Sequence, residues 1–200
     1  MDYQAIYARI LATVDQRAYL TPTMHVDADQ RAAMVEIERV IQGPGFEPET
    51  ARDMAARYFA DGRIDRVMML SALHVIACHP RVADWEEAAR LVGEQEYAAL
   101  ELGGARLQDN LASVDRHRGV LAYLRGHYEV ALDYFSRTLE RQRSAENLQN
   151  ILCTLLKLDE EDEALALLAQ IHRSFPDELV DEVDRAIQTD PDLALLRTES

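Results

Sequence analysis

Gly119-Val-Leu-Ala-Tyr-Leu-Arg-Gly126-His-Tyr128-Glu-Val-Ala131-Leu-Asp-Tyr-Phe135 is the stretch whose reading decides the fold. A second version ends Leu158-Asp-Glu-Glu-Asp-Glu-Ala164-Leu-Ala-Leu-Leu168, with Ile171 and Pro176 behind it. The small residues Ala131 and Ala164 are 33 positions apart, and a large apolar residue follows each by four, at Phe135 and Leu168. A period of that length is the mark of stacked helix pairs. The small residue lets two helices approach, and the large one, a turn later, fills the groove beside it. Gly119 sits where a side chain would obstruct a close crossing. Gly126 accepts the turn between the two helices at little conformational cost.

Gly119, Gly126, Tyr128, Ala131 and Phe135 resemble the tetratricopeptide repeat, a helix-turn-helix unit of roughly 34 residues. Ala164, Leu168, Ile171 and Pro176 carry the same resemblance into the second copy. The chain departs from the family pattern at Asp115, where the family has Trp, at Arg143, where it has the closing Pro, and at Leu152, where it has the first Gly. Fainter copies lie upstream. Met68, Ala72, Val75 and Pro80 follow Ala56, Phe59 and Gly62, and a register shifted to Val67 fits nearly as well. Ala98, Leu102 and Ala105 follow a short helix from Asp84 to Val92 that Gly93 separates from a helix over 94–108. Ala33, Ile37 and Val40 close at Gly43-Pro44-Gly45.

The expected fold is therefore all-α: an α-α superhelix, a solenoid of stacked antiparallel helix pairs of tetratricopeptide type. Residues 1–46 read as a degenerate helix pair and 47–110 as two degenerate repeats. Residues 111–176 read as two clear repeats, and 177–200 as a capping helix and tail. The first helix spans about 2–18, with Tyr3, Ile6, Tyr7, Ile10, Leu11 and Val14 as its apolar stripe. A loop covers 20–26, and Asp27 or Asp29 caps the next helix. Leu179, Val183, Ala186 and Ile187 form the inner face of the last helix, which Asp190-Pro191 breaks, leaving the final residues to fray.

The chain has 200 residues and a formal net charge of −15, and residues 151–200 hold 13 acids against 4 bases. That balance argues against nucleic acid, where a basic face supplies the affinity, and against an anionic membrane surface. It leaves a basic or neutral protein partner easier to accept. No apolar run reaches the ~20 residues of a membrane span, and no secretory leader opens the sequence. A cytoplasmic, bacterial protein is expected. Cys78 and Cys153 stand in different repeats and suggest no disulfide.

Catalytic patterns are few. His74, Cys78 and His79 are the one cluster with metal-ligand types, but zinc needs three or four convergent ligands. A buried thiol and two histidines near a helix end, where the dipole favours a cation, is the plainer reading. No nucleophile elbow or phosphate loop is present. No cofactor is expected, and a metal-dependent enzyme is the reading from another class.

The resemblance implies a binding groove lined by the first helix of each pair. It places Ser113, Arg116, Val120 and Tyr123 there from one repeat, and Glu146, Gln149, Cys153 and Leu156 from the next, with Asn150 and Lys157 nearby. Such residues suit peptide recognition: Arg forks onto carboxylates, amides pair with backbone, and Tyr adds rigid area. One family subtype grips the C-terminal carboxylate of heat-shock chaperones with Lys and Asn a turn apart. Arg116 with Val120, and Gln149 with Cys153, do not reproduce that pair. The expected function is a non-enzymatic interaction scaffold binding a peptide or protein segment, with a bacterial secretion-type chaperone as the alternative. Arg137, Arg141 and Arg143 lie on a helix that faces outward in the family. They are either solvated and paired along the helix or a patch for a homo-oligomer.

Overall fold

The computed structural model describes residues 3–15 and 27–197. The described chain is helical, with no strand: α1 (Tyr3–Asp15), α2 (Ala28–Gln42), α3 (Pro48–Ala60), α4 (Arg66–Cys78), α5 (Trp85–Leu102), α6 (Leu107–Leu124), α7 (Tyr128–Arg141), α8 (Ala145–Lys157), α9 (Glu161–Ser174) and α10 (Asp177–Thr189), with 3-10 turns at Gly104–Arg106 and Pro191–Leu196. Among the described residues no helix is long and apolar enough to cross a membrane. The loop expected over 20–26 lies outside the described residues.

Two compact units divide the chain between 23 and 24 and between 121 and 122. In the first, 24–121, α2 packs on α3 and α4, and α4 on α5. Asp27 caps α2 by accepting the Asp29 amide at 2.8 Å, which settles the choice between the two aspartates. Asp65 caps α4 and Asp84 caps α5 in the same manner. α4 is buried on two sides. Met68, Ala72 and Ile76 join Ala33, Ile37, Ala51 and Ala55 in one cluster. Val67, Leu70 and Ala77 join Ala88, Leu91 and Ala98 in another. Both registers read at 67 and 68 are thus in use, one on each side. The closing position moves by one residue: Val75 is exposed, and Ile76 is buried in its place.

Gly93 does not separate two helices. α5 runs unbroken through it, because Ala88, Leu91 and Val92 before it and Gln95, Ala98 and Ala99 after it share one buried face. A single exposed glycine costs such a helix only about 1 kcal/mol. The break comes instead at Gly103 and Gly104, whose φ angles are +55° and +68°. Leu102 is exposed there, so the spacing Ala98, Leu102, Ala105 does not mark a packed second helix. α5 is joined to α6 by side chains: the Gln95 amide donates to Ser113 Oγ at 3.3 Å, and Arg118 pairs with Glu96 at 2.6 Å.

The second unit combines α1 with 122–197. α1 packs on α7 and α9, burying Ile6, Ile10 and Val14 as the stripe predicts. Arg9 is held by Asp133 at 2.6 Å and by Ser136 Oγ at 2.9 Å, and Tyr7 donates to the Glu163 carbonyl at 2.9 Å. The N-terminal helix pair expected over 1–46 is therefore divided, since α1 and α2 belong to different units. Ala131, Phe135, Ala164 and Ile171 are buried as read, and Leu167, one residue before the expected Leu168, is the fully buried leucine. α10 packs on α8 and α9 through Val183 and Ile187. Arg137 pairs with Asp133 one turn earlier at 2.6 Å.

Two glycine substitutions separate the structural assignments. Gly93→Ala adds a Cβ that meets nothing within 4 Å, so it should raise stability by about 1 kcal/mol. Gly126→Ala forces a side chain onto φ +75° and should lower it by roughly 1–2 kcal/mol. Urea titrations followed by far-UV circular dichroism measure both. A destabilising Gly93→Ala would mean a turn at 93.

Candidate functional site

α8 begins at Ser144, whose hydroxyl accepts the Asn147 amide at 3.3 Å, while the Asn147 side chain donates to the Gln142 carbonyl at 2.7 Å. Leu148, Ile151, Leu152 and Leu155 have no exposed surface. α7, α9, α10 and the 3-10 turn Pro191–Leu196 all pack against this helix. One strip of it remains polar and carries Gln149, Cys153 and Lys157 at successive turns, beside Tyr123 from the end of α6.

That strip is filled by the chain itself. Asp190 ends α10, and its carboxylate divides its two oxygens: Oδ1 accepts the Asp192 amide at 2.9 Å, and Oδ2 accepts the Gln149 amide at 2.7 Å. Cys153 Sγ lies 4.0 Å from the same Oδ2. Asp192 is likewise shared, with Tyr123 donating to Oδ2 at 2.6 Å and Lys157 Nζ 2.9 Å from Oδ1. Pro191, at the first position of the turn, has no amide to satisfy. Leu193 and Leu196 are buried. Arg197 folds back, donating to the carbonyls of Ile187 and Asp190 at 2.9 Å each. These contacts hold the segment through 197, and the last residues, expected to fray, lie outside the described residues.

The electrostatics agree with the geometry. The Tyr123 hydrogen bond and the Lys157 ammonium lower the Asp192 pKa, and Asp192 in turn raises that of Lys157. Burial raises Tyr123, and its bond to Asp192 adds to the shift. Burial, then the Asp190 charge, pushes the Cys153 thiol up to about 12, so it is an unreactive thiol while the segment is seated. Lys157 is the single lysine of a chain whose other basic side chains are arginines.

Of the residues inferred as groove contacts, the structure brings together Tyr123, Gln149, Cys153 and Lys157. Asn150 is half-buried, and its carbonyl accepts the Thr154 hydroxyl at 2.6 Å. Leu156 is buried, and Glu146 is exposed. Ser113, Arg116 and Val120 belong to the other unit, where Ser113 is engaged by Gln95. Asp190, Asp192, Leu193 and Leu196 were missed. The available signal was an Asp that can both cap and accept, a Pro at the first turn position, and leucines three apart.

No family model, curated protein or solved structure matches the chain.

The His74 region forms a second polar locus, inside the 24–121 unit. His74 and His117 stack with ring centroids 4.4 Å apart. His117 Nδ1 lies 2.8 Å from Gln95 Oε1, and its Nε2 lies 3.4 Å from Ser71 Oγ. His74 Nδ1 is 3.2 Å from the Ala88 carbonyl, and Nε2 is 3.4 Å from Cys78 Sγ. His79 does not join them; it packs on Phe46 with centroids 4.1 Å apart. Among the described residues no three His, Cys, Asp or Glu side chains are placed to hold a metal ion. Burial lowers His74 to about 4, and burial followed by the neighbouring His74 and Arg116 charges takes His117 well below the usual histidine range. At His74 loss of water disfavours the cation.

Both histidines are thus neutral in the folded state and titrate lower than in the unfolded chain. The contribution of His74 is intact above pH ~6.5 and is lost as pH falls toward about 4, and that of His117 is lost in the same direction. For His74 alone the loss between pH 7 and pH 5 should be about 2 kcal/mol. Urea midpoints at the two pH values measure it. In proton NMR, ring signals from His74 and His117 should stay constant over the same range, and a normal titration there would refute their neutral burial.

Proposed function

We propose that this chain is a non-catalytic interaction module of stacked helix pairs of tetratricopeptide type, and that the polar strip of α8 takes an extended segment of a protein partner. The supporting observation is the occupancy of that strip. Gln149 and Cys153, which the resemblance places in the groove, and Lys157, which it places nearby, lie against a stretch of polypeptide, and Gln149, Lys157 and Tyr123 supply donors to its carboxylates. Side chains that hold one such segment have the spacing and chemistry to hold another. The mean charge of the chain favours a basic or neutral partner, but at this strip the donors favour an acidic one, because an amide, a phenol and an ammonium all donate. The repeat period and the buried Ala131, Phe135, Ala164 and Ile171 support the repeat reading.

The test compares the tagged full chain with its Gln149→Glu/Lys157→Glu variant, matched for helicity, as baits in lysate from the source organism. Quantitative mass spectrometry should find a partner retained by the wild type and depleted by roughly tenfold or more on the variant, because each donor is replaced by a carboxylate that repels an acidic segment. Equal retention by both, or no specific partner on the wild type, would overturn the assignment to α8.

A further inference from the structure

The polar strip of α8 is already occupied, and the occupant has a definite pattern: carboxylates at 190 and 192, a proline between them, and buried leucines at 193 and 196. Each carboxylate oxygen has its own donor, so the fit extends over the whole segment. Yet the segment is short, and three of its four side-chain donors, Tyr123, Gln149 and Lys157, retain some solvent exposure. Water can therefore compete at this edge in a way it cannot at Leu148 or Ile151.

We infer that residues 190–197 are an internal pseudo-ligand that closes the α8 strip, and that the strip's partner presents the same chemistry in trans: acids at positions 1 and 3 and leucines at positions 4 and 7. This rests on the α8 reading above. Tethering gives the internal segment a high local concentration, so a partner must exceed it or reach the protein when the segment has been released. The buried Cys153 thiol lies against the segment and the single lysine, Lys157, pairs with it at the exposed edge, so each reports its departure chemically.

The experiment uses the full chain and an Asp190→Asn/Asp192→Asn variant. Asparagine keeps the cap at 190 and removes only the charge. The probe is a fluorescein-labelled peptide with the sequence of residues 190–197, read by anisotropy, and its Asn-Pro-Asn counterpart is the control. The variant should bind the acidic peptide at least about tenfold more tightly than the wild type does, and Lys157→Glu in the same background should abolish that binding. Cys153 alkylation and Lys157 acylation, followed by mass spectrometry, should both accelerate in the variant while Cys78 alkylation does not. Equal peptide affinity in the two chains would overturn the inference, as would unchanged labelling of Cys153 and Lys157. A variant that binds no peptide but forms a dimer by gel filtration would also overturn it, since the occupant would then be a second copy. In any of these failures, loss of a captured partner by Gln149→Glu/Lys157→Glu would still leave the α8 assignment standing.

Discussion

An isolated helix of the length of α8 is marginal in water. α8 persists because α7, α9, α10 and the turn at Pro191–Leu196 cover its sides, leaving Leu148, Ile151, Leu152 and Leu155 without exposed surface. Each of those neighbours is equally short of stability alone and is amphipathic toward the same axis. The 122–197 region is thus organised by one requirement, that a two-sided apolar helix be enclosed. Along the polar strip with Gln149, Cys153 and Lys157, enclosure relies on hydrogen bonds to carboxylates.

The 24–121 unit meets a related demand differently. α4 carries apolar residues on two faces and is covered by α2 and α3 on one and α5 on the other. Where α4, α5 and α6 meet, the interior holds two histidines, a glutamine and a cysteine, each with a polar neighbour. A buried polar group without such a neighbour would cost several kcal/mol. The arrangement therefore depends on these side chains being neutral. Of the sequence cluster His74, Cys78 and His79, the first two belong to this core and His79 packs on Phe46 instead.

The sequence announced the helices with local signals. Gly126 marks a turn because its φ is positive, Asp27 marks a helix start because it caps, and Ala131 with Phe135 marks a crossing by size. It misled where two local signals of equal strength had unequal outcomes. Gly93 and Gly103 look alike in sequence, but only Gly103 adopts a left-handed φ, and buried neighbours carry the helix through Gly93. Val75 and Ile76 are both apolar, and helix phase alone chose between them. The α8 side of the candidate site was reached through the repeat resemblance, which points to Gln149 and Cys153 with Lys157 nearby. Its occupant was not, since Asp190-Pro191 is a helix-breaking signal in sequence and says nothing about where the following leucines go. The partners of α1 were beyond any local pattern: Arg9 and its acceptor Asp133 are 124 positions apart.

That separation bears on how the molecule is made. α1 is the first described element to leave the ribosome, yet the surfaces it covers, on α7 and α9, are synthesised after the entire 24–121 unit. The middle unit has its own clusters and can condense while α1 still waits with Ile6, Ile10 and Val14 uncovered. Long-range closure of this kind slows folding more than it weakens the final state. The nascent chain therefore passes through an interval in which an amphipathic N-terminal helix is without its cover, and chaperone capture or misassociation between chains would be concentrated there.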